Sequence, residues 1–102
     1  MKELTPETFD KEINQGISVI DFWAPWCGPC RAMAPVLESV AEQMPNIKFA
    51  KLNVEEHQNI GRKYRISSIP CFIVFKEGNE VGRIIGGMDE DRFMDKVKEI
   101  AL

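Results

Sequence analysis

The chain has few of the residues that several common chemistries require. Its 102 residues include one histidine, His57, and three cysteines, Cys27, Cys30 and Cys71. A structural zinc site needs four ligands, usually from two closely spaced pairs, and this chain has only one such pair. An odd number of cysteines argues against the disulfide framework of small secreted domains. Because His57 lies in a charged segment with no partner to orient it, nothing indicates a Cys–His hydrolase.

The chain also lacks the marks of a membrane or nucleic-acid-binding protein. Its net charge is −3, so no basic patch for nucleic acid is expected. No apolar run approaches the ~20 residues of a membrane span, and residues 1–5 lack the apolar core of a secretory signal. We therefore expect no nucleic-acid or membrane partner, and a cytoplasmic location in which thiols stay reduced.

The composition is ordinary for a folded domain, and the apolar pattern predicts its class. Hydrophobic residues make up 44% of the chain and charged residues 28%. We expect one monomeric domain over residues 1–102. Predicted strands cover 17–24, 47–54, 71–75 and 81–85, and predicted helices start near residues 5, 28, 57 and 89. A helix crossover makes the first two of these strands parallel, and a turn over 77–80 makes the last two antiparallel. The fold class is therefore α/β, a mixed central sheet with helices on both faces.

Two cysteines stand two residues apart where a predicted strand ends and a predicted helix begins. The segment is Trp26-Cys27-Gly28-Pro29-Cys30, with Cys27 at the helix N-terminus. Unpaired N–H groups and the helix dipole favour an anion there, so the pKa of the Cys27 thiol should fall. Cys30 lies one turn further along, so the pair is placed to make and break a disulfide. Half of a zinc site remains the alternative for this pair.

With its flanking residues, this segment resembles the active site of the thioredoxin family. The matching segments are 21–31, Ala34-Pro35, 50–54, 64–66, 68–70, 72–76 and Gly86, which together extend over nearly the whole chain. The resemblance implies the thioredoxin fold. The family usually has a further strand before the first helix, but only residues 1–4 precede Thr5 here. That first strand is therefore expected to be short or missing.

The resemblance implies two further catalytic residues. Asp21 would be a buried aspartate behind Cys30 that moves its proton, and Lys51 would point toward Asp21 and tune it. A buried carboxylate is costly unless it is paired or has a raised pKa, which fits such a role. The alternatives are a hydrogen-bonded structural aspartate and an exposed strand lysine.

The resemblance also implies a substrate groove around Cys27. Pro70 would follow a cis peptide bond and face the dithiol, and the backbone at Ile69 would pair with an extended substrate peptide. The remaining groove residues would be Trp26, Gly28, Pro29, Gly86 and Gly87. Trp26 is expected at the surface and Trp23 mostly in the core, although both could fill the core beside the strand end. Cys71 departs from the threonine that many family members carry, and is either a small buried hydrophobe or a regulatory thiol.

The predicted function is that of a general protein-disulfide reductase acting through a mixed disulfide. No cofactor is expected beyond the redox-active Cys27–Cys30 disulfide. The expected partners are a thioredoxin reductase, because the chain has no nucleotide-binding loop, and disulfide-containing client proteins. One alternative is a disulfide oxidase or isomerase, but Gly28-Pro29 matches the reducing type. Another is a binding module without turnover, although both cysteines are present.

Overall fold

A computed structural model describes residues 1–102 as a five-stranded sheet with helices on both faces. The elements in chain order are β1 (Lys2–Glu3), α1 (Pro6–Ile13), β2 (Ile17–Trp23), α2 (Gly28–Gln43), β3 (Ile47–Asn53), α3 (Gln58–Lys63), β4 (Cys71–Lys76), β5 (Asn79–Ile85) and α4 (Glu90–Ala101). The strand order is β1-β3-β2-β4-β5. The pairs β1–β3 and β3–β2 are parallel, and β2–β4 and β4–β5 are antiparallel. The predicted mixed α/β arrangement is confirmed.

The first strand is short, as expected from the few residues before the first helix. Lys2 pairs with Ala50 and Glu3 pairs with Lys51. The backbone N–H of Leu4 extends this pairing by donating to the Lys51 carbonyl at 2.7 Å. Two paired residues therefore suffice to add β1 to the edge of the sheet.

Alternation along the strands divides the core into two layers. Val19 and Val74 face the layer under α2 and α4, whereas Ile20 and Ile73 face the layer under α1 and α3. Residues 18–22 of β2 are all buried, because helices cover both of its faces. Each fully buried aliphatic or aromatic side chain contributes about 1.5–3 kcal/mol to stability. None of the four helices is both long and apolar enough to span a membrane.

Side-chain caps explain where the first and last helices begin. Thr5 accepts a hydrogen bond from the Thr8 backbone N–H at 3.3 Å, and Pro6 occupies the first helical position. The Asp89 carboxylate accepts from the Arg92 backbone N–H at 2.8 Å at the start of α4. These caps use backbone donors that have no partner within the helix.

The hairpin turn is shorter than the predicted turn over 77–80, which was wrong in length. Lys76 pairs with Asn79, so only Glu77 and Gly78 form the turn. Their φ angles of 51° and 86° are typical of a type I′ turn, whose twist matches that of the flanking strands. Further along the hairpin, Val74 pairs with Gly82 and Phe75 pairs with Glu80. Val81 is therefore an extra residue in β5 and forms a β-bulge.

The substitution Glu77→Asn is expected to raise the free energy of unfolding by about 0.5–1 kcal/mol. Asparagine tolerates the positive φ of this turn position better than glutamate does. Urea unfolding compared with the unsubstituted protein measures the change. The matched control is Gly78→Ala, which should lose about 1 kcal/mol because alanine is strained at positive φ. A lower unfolding midpoint for Glu77→Asn would contradict the assignment of the turn.

Candidate functional site

The closely spaced cysteines form a disulfide at the N-terminus of α2. Cys27 is the N-cap residue, and its Sγ accepts the backbone N–H of Cys30 at 3.2 Å. Gly28 and Pro29 are the first two residues of the helix. The Cys27 backbone N–H donates to the Ala24 carbonyl at 3.1 Å, which tightens the turn after β2. The predicted sequence of strand, tight loop and helix is therefore present, with both sulfur atoms at the helix end.

The helix end supplies the positive potential at this site. Backbone N–H groups in the first turn of α2 and the helix dipole stabilise a thiolate once the disulfide is reduced. The nearby cation, Arg31, is exposed, and its guanidinium donates to the Pro25 carbonyl at 2.8 Å. In the disulfide form, Cys27 and Cys30 are only 4% and 3% exposed, so neither is clearly the more buried of the two.

The segment before β4 lies against the disulfide. The peptide bond between Ile69 and Pro70 is cis, as the resemblance implied. The Ile69 carbonyl oxygen lies 3.9 Å from Cys27 Sγ, and Ile69 packs against the buried cluster that contains the two cysteines. The Pro70 carbonyl accepts the backbone N–H of Gly86 at 2.9 Å, which fixes the end of β5 beside this segment. The segment of Ile69 and Pro70, both predicted for the groove, thus lies next to the disulfide, and Gly86 is hydrogen-bonded to Pro70.

The remaining groove residues leave open space above the backbone. Trp26 is 67% exposed, and a Cβ added to Gly28 would meet nothing closer than 4.0 Å. At Gly86, where φ is +95°, an added Cβ would meet nothing within 4 Å, and at Gly87 it would approach Met33 to 3.8 Å. Another backbone can therefore approach this surface closely.

Asp21 is a buried carboxylate on the face of the sheet that α2 covers. It is 1% exposed, and its Oδ1 has no hydrogen-bond partner. Burial raises the pKa of Asp21 to about 7, against the opposing effect of Lys51 and with a further upward contribution from Glu3. A group with this pKa can both take up and release a proton near neutral pH.

Lys51 lies beside Asp21 in the sheet but does not form an ion pair with it. The two residues are partners in the parallel register of β3 and β2. The Lys51 ammonium lies 4.0 Å above the centre of the Trp23 ring, and the ion pairs of the structure do not include it. Lys51 therefore acts on Asp21 through space rather than by direct contact.

Sequence reasoning missed Glu3, which joins this group. The indole N–H of Trp23 donates to Glu3 Oε2 over a long 3.5 Å, and Glu3 is the register partner of Lys51. A residue in a strand of two residues carries no periodic signal, so only the register could have identified it. Trp23 is half-buried because it packs between these side chains and α2.

The other titratable residues considered from the sequence lie apart from the disulfide. Cys71 is 1% exposed, unpaired and placed opposite Phe22, and burial raises its pKa. His57 Nε2 lies 3.4 Å from a carboxylate oxygen of Glu56 just before α3, and the His57 side chain is 17% exposed. No group of three or more His, Cys, Asp or Glu side chains is arranged to hold a metal ion.

Comparison with protein families and solved structures identifies consistent relatives. The thioredoxin family model matches residues 1–99. The chain is 42% identical to the thioredoxin of Chlamydia pneumoniae over 89% of each protein. It is also 42% identical to the thioredoxin of Staphylococcus epidermidis over 82% of each.

Two solved structures share the fold along nearly their whole length. Thioredoxin from Plasmodium falciparum superimposes with a TM-score of 0.91 and 31% identity, over 99% of this chain and 100% of that one. The oxidised form of mitochondrial thioredoxin 3 from Saccharomyces cerevisiae superimposes with a TM-score of 0.88 and 33% identity, over 97% and 94%.

The substitution Asp21→Asn is expected to raise the free energy of unfolding by roughly 2–4 kcal/mol at about pH 8, because it removes a buried charge. The folded-state pKa is raised, so the unfolded chain ionises first as the pH increases. The unsubstituted protein should therefore lose stability from about pH 4 to about pH 7, and the variant should not. Urea unfolding of the disulfide form at several pH values measures both curves.

The matched control for this prediction is Asp95→Asn, since Asp95 is an exposed aspartate on α4. This control should follow the unsubstituted protein at every pH. A stability gain for Asp21→Asn of equal size at about pH 4 and about pH 8 would show that charge burial is not its cause.

Proposed function

Because the chain belongs to the thioredoxin family and is a protein-disulfide oxidoreductase, we propose that it acts as a general protein-disulfide reductase. In this role the Cys27–Cys30 dithiol donates two electrons to disulfides of client proteins. The observation that carries the proposal is the placement of the Cys27–Cys30 disulfide at the N-terminus of α2, against the backbone of Ile69.

The first step is attack by Cys27 on a client disulfide. The Cys27 thiolate, stabilised by the helix N-terminus, forms a bond to one client sulfur, and the other client sulfur leaves as a thiolate. The product is a mixed disulfide between Cys27 and the client. Cys27 is the better candidate for this role because it is the N-cap residue, whereas Cys30 lies inside the first turn.

The second step releases the client. The Cys30 thiol gives its proton to the Asp21 carboxylate, and the resulting thiolate attacks Cys27 Sγ. The second client sulfur leaves, and the Cys27–Cys30 disulfide forms. Two electrons have then passed to the client, and its two thiolates take up protons from solvent. The raised pKa of Asp21, about 7, supports a proton acceptor of this kind.

The surface around Cys27 suits an extended peptide. We propose that the groove consists of Trp26, Gly28, Pro29, Ile69, Pro70, Gly86 and Gly87. Its open space over the glycines supports close backbone approach, and the Ile69 backbone offers pairing groups to a substrate strand. Contacts made mainly with backbone recognise many sequences, as a general reductase requires.

The electrostatics favour the reducing direction. A strongly stabilised thiolate favours the dithiol form and therefore makes an oxidant. Here Gly28 and Pro29 carry no charge, and Arg31 is exposed and bonded to the Pro25 carbonyl. Only the helix end promotes ionisation of Cys27, so the disulfide form is relatively stable and the dithiol is a good donor.

The dithiol must be regenerated by another protein. We propose a thioredoxin reductase as its electron source and no cofactor beyond the redox-active disulfide. We further propose a single monomeric domain over residues 1–102 that acts in the cytoplasm. Bacterial thioredoxins among its relatives support this setting.

The substitution Cys30→Ser should trap mixed disulfides with a disulfide-bonded peptide, because attack by Cys27 proceeds but resolution is lost. The variant Cys27→Ser should trap none. Non-reducing electrophoresis and mass spectrometry detect the adducts. As a control, Cys71→Ser in the Cys30→Ser background should leave trapping unchanged. Adducts formed by Cys27→Ser instead would reverse the assigned roles.

The Cys27–Cys30 disulfide should resist reduction in a glutathione buffer poised like the cytosol, whereas the dithiol should reduce accessible client disulfides. Both follow from the weak stabilisation of the Cys27 thiolate. Thiol alkylation and mass spectrometry after equilibration measure the reduced fraction. Ready reduction by glutathione would assign the chain to the oxidases or isomerases.

A further inference from the structure

We propose that Glu3 is a positioning residue of the redox site, which sets the protonation of Asp21 by drawing the positive charge of Lys51 away from it. Part of this inference deepens the proposed function, since it takes Asp21 as the proton acceptor for Cys30. Its basis is a row of three charged residues across adjacent strands. Glu3 on β1 pairs with Lys51 on β3, which pairs with Asp21 on β2.

These three residues lie on the same face of the sheet. Asp21 alternates with Ile20, which faces α1 and α3, and so lies on the α2 side. Register partners in adjacent strands point to the same face, so Lys51 and Glu3 lie on that side too. In the row of register partners, Lys51 therefore lies between two acidic residues, one buried and one exposed.

The Lys51 ammonium forms no ion pair with either Asp21 or Glu3. It lies over the Trp23 ring rather than against Asp21. The indole N–H of Trp23 in turn donates to Glu3, so Glu3 and Lys51 both engage the same side chain. Trp23 follows Asp21 by two residues on the same face of β2, and its ring holds the cation without a direct bond to the Asp21 carboxylate.

A cavity that Glu3 and Lys51 both line explains why the cation does not approach Asp21. It has a volume of about 200 Å³ and is lined by Met1, Glu3, Ala34, Leu37, Glu38 and Lys51. This volume accommodates several water molecules, which take about 30 Å³ each in the liquid. Asp21 does not line it, so an ammonium beside Glu3 keeps water contacts that it would lose beside Asp21.

No other charge facing Asp21 can replace this arrangement. Among its register partners, β3 offers Lys51 and β4 offers the apolar Phe72. On α2, Cys30 is held in the disulfide and does not titrate in this form, and the ionisable residue on this side is the cavity residue Glu38. Lys51 is thus the one cation beside Asp21. Removing the charge of Glu3 deletes a repulsion and frees that cation, and both effects favour the ionised carboxylate.

The test is the substitution Glu3→Gln, which removes the charge but keeps an oxygen that can accept the Trp23 N–H. Carbon-13 NMR of the Asp21 carboxyl in the full-length disulfide form gives its titration midpoint directly. We expect the midpoint to fall by about one pH unit, which corresponds to a tenfold change in the protonation equilibrium. An unmoved or raised midpoint would overturn the inference.

Two matched variants isolate the cause. Glu42→Gln removes an exposed charge of the same type on α2 outside the cavity, and should leave the midpoint unchanged. Adding Lys51→Met to Glu3→Gln should abolish most of the effect of Glu3→Gln, since the freed cation is gone. An undiminished effect in the Lys51→Met background would show that Glu3 does not act through Lys51.

A kinetic readout separates this inference from the proposed function. The pH profile of client-disulfide reduction by Glu3→Gln should move down with the NMR midpoint, because Asp21 accepts the Cys30 proton. A lowered midpoint with an unmoved profile would support the action of Glu3 on Asp21 and refute the catalytic role of Asp21. An unmoved NMR midpoint would refute the action of Glu3 on Asp21 and would leave the proposed reductase function unaffected.

Discussion

The parallel crossover from β2 through α2 to β3 is the constraint on which the redox site depends. It places the N-terminus of α2 directly after the end of β2, so the capping position falls on Cys27. The same strand carries Asp21 two residues before its end. Because β2 pairs with β3 on one side and β4 on the other, the backbone of Asp21 is fixed at the centre of the sheet.

The segment that carries Ile69 and Pro70 is also brought to the site by the topology of the sheet rather than by local sequence. β4 runs antiparallel to β2, so its first residue, Cys71, lies opposite Phe22 near the end of β2. Pro70 precedes Cys71, and the chain before β4 must therefore enter beside the disulfide. The hydrogen bond between Gly86 and Pro70 joins the end of β5 to the same place. The end of β2, the segment before β4 and the end of β5 are distant in sequence, but the directions of the strands bring them together at one end of the sheet.

The helices, the strands and the closely spaced cysteines could be predicted from local signals in the sequence, whereas the roles of Asp21, Lys51 and the groove residues were implied only by the resemblance. Apolar periodicity predicted the elements, and Thr5-Pro6 and the acidic residues 89–91 marked two helix starts. The hairpin turn was predicted too long, because Glu77 is an unusual residue at positive φ and hides the two-residue turn. The absence of a Lys51–Asp21 ion pair could not be predicted, because the contact of the Lys51 ammonium with the Trp23 ring forms only in the assembled sheet.

The position of Lys51 relates the stability of the protein to the protonation of Asp21. An unpaired buried carboxylate destabilises the fold when ionised, and Asp21 has an oxygen without any hydrogen-bond partner. A direct ion pair with Lys51 would stabilise the charged form and hold the pKa of Asp21 low. The carboxylate would then stay ionised at neutral pH and would be a poor acceptor for a thiol proton. Keeping Lys51 over Trp23 leaves the ionised Asp21 carboxylate less stable, but the group can then change its protonation near neutral pH.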